Sequence, residues 1–424
     1  MDKFSLESAV FTNAFSTGPS TPYVFPSVLT STYPLDYQGP HKIEKPRFLL
    51  SEVLKGAGYN TAAFHANPFL SGLFGYNQGW DYFEDNVLAT GKLAQKSPVK
   101  DFSKEIFKNF LLTFSPQTFF KIKYAKDKEG ILQTGLKVKA SQINKTAKEF
   151  ILSVKNDSNP FFLWVHYMDV HGPYISKASY EANNFCDFDE AVAGSYVNYL
   201  NDYPKKGKLR KFFGKYFSKT IDLYEQGVEC FDQEFGSFIN FLKKENLYQD
   251  SLIILTSDHG EEFFERGGVS HFSCRLYQEN VKVPLLIKLP GENHKIIDYP
   301  VSLIDLAPTI LNFLEIEKPK SFKGGDLFLS PTHPLYFQAS SHFGTSEMNA
   351  EQVKKRFGRY NIACQDGPWK YIFDKIRRVE ELYNLEKDPG EKNNVFNQEK
   401  EVSSKMKLKV AEFEKNNPPL AMPA

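Results

Sequence analysis

The stretch Leu252-Ile-Ile-Leu-Thr-Ser-Asp-His-Gly-Glu261 decides how the rest of the chain is read. Leu252–Thr256 is a short apolar run that stops on Ser257, Asp258 and His259. A buried strand ending in polar residues is the pattern of an open α/β sheet, where ligands gather at the carboxyl ends of strands. Asp258 and His259 can together ligate one divalent cation, provided the backbone turns, and Gly260 gives it that freedom. Alternatively, Asp258 caps a following helix and His259 only packs.

The same signature occurs twice upstream. A helix over Arg47–Lys55, closed by Gly56 and Gly58, leads into a strand Tyr59–Phe64 that stops at His65-Ala-Asn67. Phe161–Tyr167 is a second apolar strand, followed by Met168-Asp-Val-His-Gly-Pro-Tyr174. In Ile221–Leu242 the residues Tyr224, Val228, Phe231, Phe235, Phe238 and Leu242 recur at steps of 4, 3, 4, 3 and 4, one face of an amphipathic helix. Val283–Leu289 is a further strand.

Strands separated by helices predict an α/β fold: a mostly parallel central sheet sandwiched by helices. Residues 86–150 and 175–220 are lysine-rich, helical-looking insertions. Beyond about Asn293 an amphipathic helix Leu303–Leu314, short mixed segments and a charged helix Lys400–Lys415 predict a smaller C-terminal α+β subdomain. The expected division is a catalytic domain over 1–315 and the subdomain over 316–424.

Composition narrows the function classes. Lysine and arginine number 52 against 51 aspartates and glutamates, so no global field recruits nucleic acid. Aromatic residues at 15% favour a packed globular enzyme over a disordered chain. The four cysteines lack CxxC spacing, which argues against zinc ribbons and disulfide frameworks and fits a reducing compartment. No apolar run of 18 residues is present, and the start MDKFSLESAVF has no signal-peptide core. A cytoplasmic protein with no integral membrane segment is expected.

Several other side chains could carry chemistry. His271 could protonate a leaving group or bind an anionic oxygen with Arg275 nearby, or it is a surface-loop histidine. His171 follows a strand and could orient a substrate, while Asp169 could ligate or cap. His65 and Asn67 are candidates for substrate contact or for a structural role. In Gly18-Pro-Ser-Thr-Pro-Tyr-Val-Phe-Pro-Ser-Val-Leu-Thr-Ser-Thr-Tyr-Pro34, Ser20 or Thr21 either caps a helix or is a hydroxyl activated by the helix start and a neighbouring cation. The basic run Lys205–Lys219, with its interleaved aromatics, reads as a helix whose apolar face meets the core.

Seven blocks, in order from Phe11 to Val395, together resemble the sulfatase family of the alkaline phosphatase superfamily. They are Phe11-Thr-Asn-Ala-Phe-Ser16, Leu29-Thr-Ser-Thr-Tyr-Pro34, Pro160–Tyr174, Leu252–Glu261, Leu276–Leu286, Ser302–Leu311 and Glu381–Glu391. The resemblance implies hydrolysis of a small anionic ester with one divalent metal ion (Ca, Mg, Mn or Zn). Register against the Tyr33-Pro34 ending places the family's nucleophile on Thr21. It places metal ligands on Asp258 and His259, with Thr21 facing the metal, an oxyanion contact on His171, and the leaving-group acid near His271.

Two departures are visible. The position of the family's nucleophile holds threonine, and that of its arginine holds Phe25. No formylglycine is therefore expected; threonine would attack directly, which favours phosphodiester or phosphonate monoester chemistry over sulfate esters. The family's first strand, with its metal-ligating aspartate, has no counterpart before Met1. Asp258, His259 and Thr21 alone would under-coordinate a divalent ion. The alternatives are a transferase passing a phospho-substituent to an acceptor such as a glycan, and a truncated, inactive family member.

Overall fold

The computed structural model describes residues 1–37, 39, 42–86, 108, 110–131, 138–182, 187–202, 207–271, 274–330, 333–340 and 360–417. Parts of the two lysine-rich insertions, and Cys186, lie outside them. Cys230, Cys274 and Cys364 are free thiols.

The strands are β1 (Ala9–Phe15), β2 (Asn60–His65), β3 (Tyr82–Glu84), β4 (Phe161–His166), β5 (Ile253–Thr256), β6 (Glu262–Phe263), β7 (Val269–Ser270), β8 (Lys282–Lys288), β9 (Lys295–Ile297) and β10 (Val301–Ser302). Two sheets build the main body. One has the order β10-β1-β8-β5 with β9 also paired to β1, and the other is β3-β2-β4. All pairings within β3-β2-β4 are parallel, and β2 meets β4 in unbroken register from Asn60↔Phe161 to His65↔His166. In the first sheet β8 alone is reversed: it is antiparallel to β1 and β5, while β9 and β10 run parallel to β1.

Helices cover both faces, because each presents one apolar stripe. Ile143, Ala147, Phe150, Ile151 and Val154 line one side of helix Ala140–Val154, and Phe235, Ile239 and Leu242 one side of helix Phe217–Lys244. Both stripes pack on Ala62 and Phe64 of β2, Leu163 and Val165 of β4, and Ile253 and Leu255 of β5. On the other face, Val24, Leu303 and Leu306 pack with Leu252 and Ile254. Phe25 and Leu29 pack with Trp164, and Ala307 and Leu311 with Phe162. The result is a helix–sheet–helix sandwich of the α/β class.

The C-terminal part is a four-stranded antiparallel sheet, β11 (Leu335–Ser340), β12 (Tyr360–Asp366), β13 (Trp369–Asp374) and β14 (Val379–Asn384), in sequential order. Helix Lys400–Asn416 lays Met406, Val410 and Phe413 on Ile362, Cys364, Tyr371 and Leu382. A buried ion pair, Lys370 Nζ to Glu391 Oε1 at 2.8 Å, joins this sheet to the following loop. From that loop Glu391 accepts the Gln278 amide at 2.7 Å, which ties the sheet to the segment leading into β8. The described parts of both insertions are helical, over Pro116–Ile131, Ala140–Val154, Lys177–Ala182, Phe188–Gly194, Tyr199–Asp202 and Gly207–Gly214. No described helix is long and apolar enough to cross a membrane.

Candidate active site

The carboxyl ends of β2, β4 and β5 deliver Asn67, His166 and Asp258 to one place. Thr21 reaches them from the one-turn 3₁₀ helix Thr21–Tyr23. Its hydroxyl donates to Asp258 Oδ2 at 2.7 Å and accepts from Asn67 Nδ2 at 3.3 Å. Ser20, the residue before that turn, makes no side-chain capping bond, and Thr21 spends its hydrogen on Asp258 instead. Asn67 is oriented by its own backbone: Oδ1 accepts the Phe69 amide at 3.0 Å, leaving Nδ2 to face Thr21 and His166 Nε2, the latter at 3.4 Å. His166 Nε2 is then the acceptor, and the proton of the neutral ring sits on Nδ1.

Asp258 and His259 follow β5 in a turn that leads to β6, with no helix for Asp258 to cap. Gly260 is needed here, because a Cβ at this position would fall on the Glu279 carbonyl. His259 Nδ1 lies 2.8 Å from its neighbour's carbonyl, Gly260 O, so Nδ1 donates and Nε2 carries the lone pair. Nε2 lies 3.5 Å from Asp258 Oδ2. Two electron-rich atoms therefore converge beside the Thr21 oxygen, the arrangement a cation favours. The described residues nonetheless do not fit a complete metal site. A divalent ion takes about four to eight ligands, and no group of three or more His, Cys, Asp or Glu is assembled for one among the described residues.

Three imidazoles gather beside Asp258: His271 lies 4.1 Å from His259, tilted to it, and 5.0 Å from His171, edge to face, centroid to centroid. His271 is buried, and its Nδ1 lies 3.2 Å from Glu261. His171 Nδ1 donates to Gly172 O at 2.6 Å. Burial alone would push the Asp258 carboxyl up, but His259, His166 and the Thr21 hydroxyl outweigh it and hold it down at about 2. Burial lowers His259 and His166, and takes His271 to about 4. It raises Glu261. The site is thus one fixed anion among neutral imidazoles, with a second carboxyl behind them.

The remaining candidates stand apart. His65 is fully buried between the rings of Trp164 and Phe83, at 5.2 and 5.3 Å, rather than in the cleft. Arg275 donates to Glu262 and lines a cavity of about 240 Å³ with Arg266, Tyr277, Asn361 and Arg377, beside β12–β14. Asp169 accepts the Ala140 amide at 3.1 Å and the Tyr180 hydroxyl, tying down the start of helix Ala140–Val154. Phe25 is buried, its ring centre 5.2 Å from that of His166 in an edge-to-face arrangement. Sequence reasoning missed His166 and Glu261. The signal for each was its place: a histidine closing an apolar strand, and a glutamate two residues beyond His259.

Comparison with known proteins agrees with this architecture. The family model "Sulfatase" matches residues 1–316, and "N-sulphoglucosamine sulphohydrolase, C-terminal" matches 267–416. Arylsulfatase K of Bos taurus is 26% identical over 245 residues, covering 56% of this chain and 44% of that protein. The choline-sulfatase of Rhizobium meliloti is 23% identical over 268 residues, 58% and 49% of the respective chains. The chain spans about half the length of the curated relatives it matches. The phosphonate monoester hydrolase of Silicibacter pomeroyi shares the fold at TM-score 0.65 and 16% identity, over 100% of this chain and 91% of that one. A structure solved in complex with its substrate D-glucosamine-2-N,6-O-disulfate does so at TM-score 0.67 and 15% identity, over 99% and 93%. With its family model spanning most of its length, this chain belongs to the sulfatase family.

Proposed function

We propose that this protein hydrolyses anionic esters of sulfur or phosphorus, with Thr21 as the attacking hydroxyl and phosphodiesters or phosphonate monoesters turned over faster than sulfate esters. One observation carries the proposal: the Thr21 hydroxyl is held between the Asp258 carboxylate, which takes its hydrogen, and the Asn67 amide, which binds its oxygen. A hydroxyl in that setting has a base within reach and its lone pairs aimed by a fixed partner. Threonine carries a methyl on the carbinol carbon and cannot become formylglycine, so the hydroxyl itself must attack.

In the first step the Thr21 oxygen bonds to sulfur or phosphorus, its proton passes to Asp258, and the bond to the leaving oxygen breaks. His171, whose Nδ1–H is held by Gly172 O, faces the incoming anion and, once the anion's charge protonates its ring, presents Nε2–H to a non-bridging oxygen. The negative charge of the bound ester raises the proton affinity of His271, which takes up a proton and gives it to the departing alkoxide. Glu261 holds the opposite edge of that ring. Water then attacks the threonine ester and gives a proton to the now neutral His271, the bond to the Thr21 oxygen breaks, and that oxygen takes back the proton held on Asp258. Enzymes of the family generally use a divalent metal ion, and none of these proton transfers is assigned to one.

A parallel assay of an aryl sulfate and a bis-aryl phosphate, with Mn, Mg, Ca and Zn each supplied, tests the proposal. The phosphorus ester should turn over faster, and Thr21→Ala should abolish both activities. Unimpaired turnover by Thr21→Ala removes Thr21 from the reaction.

A further inference from the structure

We propose that the outer face of the helical insertions is a docking surface for an anionic lipid membrane. Phe110, Phe114 and Ile122 enter the bilayer interface, and Lys121, Lys208, Lys211 and Lys215 meet its headgroups. This surface is separate from the ester chemistry and holds whichever ester Thr21 attacks. It begins from three large apolar side chains left in water: Phe110, Phe114 and Ile122 are 57%, 59% and 43% exposed.

Residues 110–114 are helical, and their hydrogen bonding runs on through Ser115 into helix Pro116–Ile131. The Ser115 amide donates to Leu111 O at 2.8 Å, and the Phe119 amide to Ser115 O at 3.2 Å. At about 100° per residue, Phe110, Phe114 and Lys121 fall in one row, with Ile122 beside it. Leu112, Pro116 and Phe120 fall on the other side and are buried. That inner row already serves the core, so packing does not account for the outer aromatics. The Phe110 and Phe114 rings lie 4.9 Å apart and make one patch rather than two scattered side chains.

Lysine borders this patch. Phe120 stacks on Phe212 at 5.4 Å, which sets helix Gly207–Gly214 alongside. Leu209, Phe212 and Phe213 are buried, so Lys208, Lys211 and Lys215, at steps of three and four, face outward. Lys208 Nζ lies 5.3 Å over the Phe114 ring. No aspartate or glutamate occurs between Lys108 and Lys126 or between Tyr203 and Ile221, in a chain whose net charge is only +1. Neighbouring lysines pair with carboxylates, Lys123 with Asp127 and Lys219 with Asp187. Among the described residues Lys121, Lys208, Lys211 and Lys215 make no ion pair. A soluble polyanion would engage these lysines and leave the aromatics in water. A protein partner would need an apolar recess and several carboxylates in matching positions. An anionic bilayer offers both without a matched shape: the rings sink to the acyl boundary while the lysine stems reach back to the headgroups. The core beneath the patch includes Tyr174 and Val269, close in sequence to His171 and His271, so docking would fix how the cleft faces the membrane.

The test co-sediments the full chain with vesicles of phosphatidylcholine alone and of phosphatidylcholine mixed with phosphatidylglycerol. Binding should be at least tenfold stronger to the anionic vesicles. Each lysine near such a surface is worth about fivefold, so Lys208→Gln with Lys211→Gln should weaken binding about 25-fold. Phe110→Ser with Phe114→Ser should weaken it at least tenfold, and both double variants should keep the parent's urea midpoint. In Phe114→Trp, anionic vesicles should shift the added emission to the blue, and brominated acyl chains should quench it.

No binding to either vesicle overturns the proposal, and so does equal binding to both. Full binding by the serine variant, matched by equal affinity for dextran sulfate, would make this a surface for soluble polyanions and overturn it. Unshifted, unquenched emission from vesicle-bound Phe114→Trp overturns it as well. So does a dimer in sedimentation equilibrium that the serine variant loses, since a second copy would then cover the patch.

Discussion

Thr21 donates to Asp258 over 2.7 Å although 237 residues of sequence separate them. The bond joins the turn after β1 to the turn after β5, so the hydroxyl's position depends on how those two strands are held. In this sheet they are held through β8, which pairs with both. Removal of the hydroxyl should therefore cost chemistry far more than stability. Thr21→Ala should lower kcat/KM by on the order of 10³-fold or more, while losing only about 1 kcal/mol of folding free energy. Thr21→Ser, which keeps the oxygen, should retain measurable turnover. Single-turnover kinetics beside urea melts will separate the two effects, and equal losses in both would contradict the assigned role.

Phe25, the residue that the register of the Tyr33-Pro34 ending sets against the family's arginine, packs its ring against Trp164, Tyr76 and His166. Phe25→Arg would bury a cation there in place of an aromatic edge. The expected cost is about 3–5 kcal/mol, read as a lower urea midpoint, with no gain in aryl sulfate turnover. A stable, sulfate-active Phe25→Arg protein would contradict this packing argument.

His65 sets a pH dependence of stability. Burial, with a smaller contribution from His166, lowers its ring from the ordinary 6.5 to about 3 in the folded chain. The unfolded chain binds the proton more readily, so this contribution to stability is intact above about pH 6.5 and falls as the pH drops toward 3. Between pH 7 and pH 5 the loss is about 2 kcal/mol. His65→Phe fits between Trp164 and Phe83 and removes the titration, so its urea midpoint should fall less over that range. Identical pH slopes in the two proteins would show that His65 is not responsible.

Lys370 and Glu391 are both fully buried, 2.8 Å apart. Breaking such a pair from one side leaves Glu391 with only the more distant Arg266 guanidinium, at 3.6 Å, so Lys370→Met alone should cost about 3 kcal/mol. The double change Lys370→Met with Glu391→Gln should recover much of that loss, because the Gln278 amide keeps an acceptor. Additive losses in a double-mutant cycle would refute the coupling.

Gly260 turns the chain between His259 and β6, where an added Cβ would overlap the Glu279 carbonyl oxygen. Gly260→Ala should displace that turn and lower activity about tenfold or more, since misplacing a reacting group by about 1 Å can cost about 100-fold. Unchanged kcat would mean that the Glu279 segment moves aside freely.

Most of the sheet was legible because its strands are apolar runs that stop on polar residues: Phe161–His166 and Ile253–Thr256 fall within the expected spans. Asp258 and His259 were visible for the same reason. The C-terminal sheet was not, because β12 and β13 carry inward polar groups such as Lys370, Gln365 and Asn361, which hide the alternation. His166 looked like part of a hydrophobic strand, and its bond to Asn67 exists only because β2 and β4 align in register. Glu261 escaped notice because its partner His271 approaches from beyond β7. No pattern local to the glutamate encodes that contact.

Among the described residues β4 and β5 share no backbone pairing, which has a consequence for cooperativity. On one side, β3-β2-β4 has its own parallel ladder; on the other, β8 binds β1 and β5. What joins them is side-chain packing under shared helices, which lacks the directional backbone bonds that make a sheet melt as a unit. Heating should therefore release the two halves separately, with amides of β2 and β4 opening at a different free energy from those of β1 and β8. A calorimetric enthalpy larger than the van't Hoff value would be its signature.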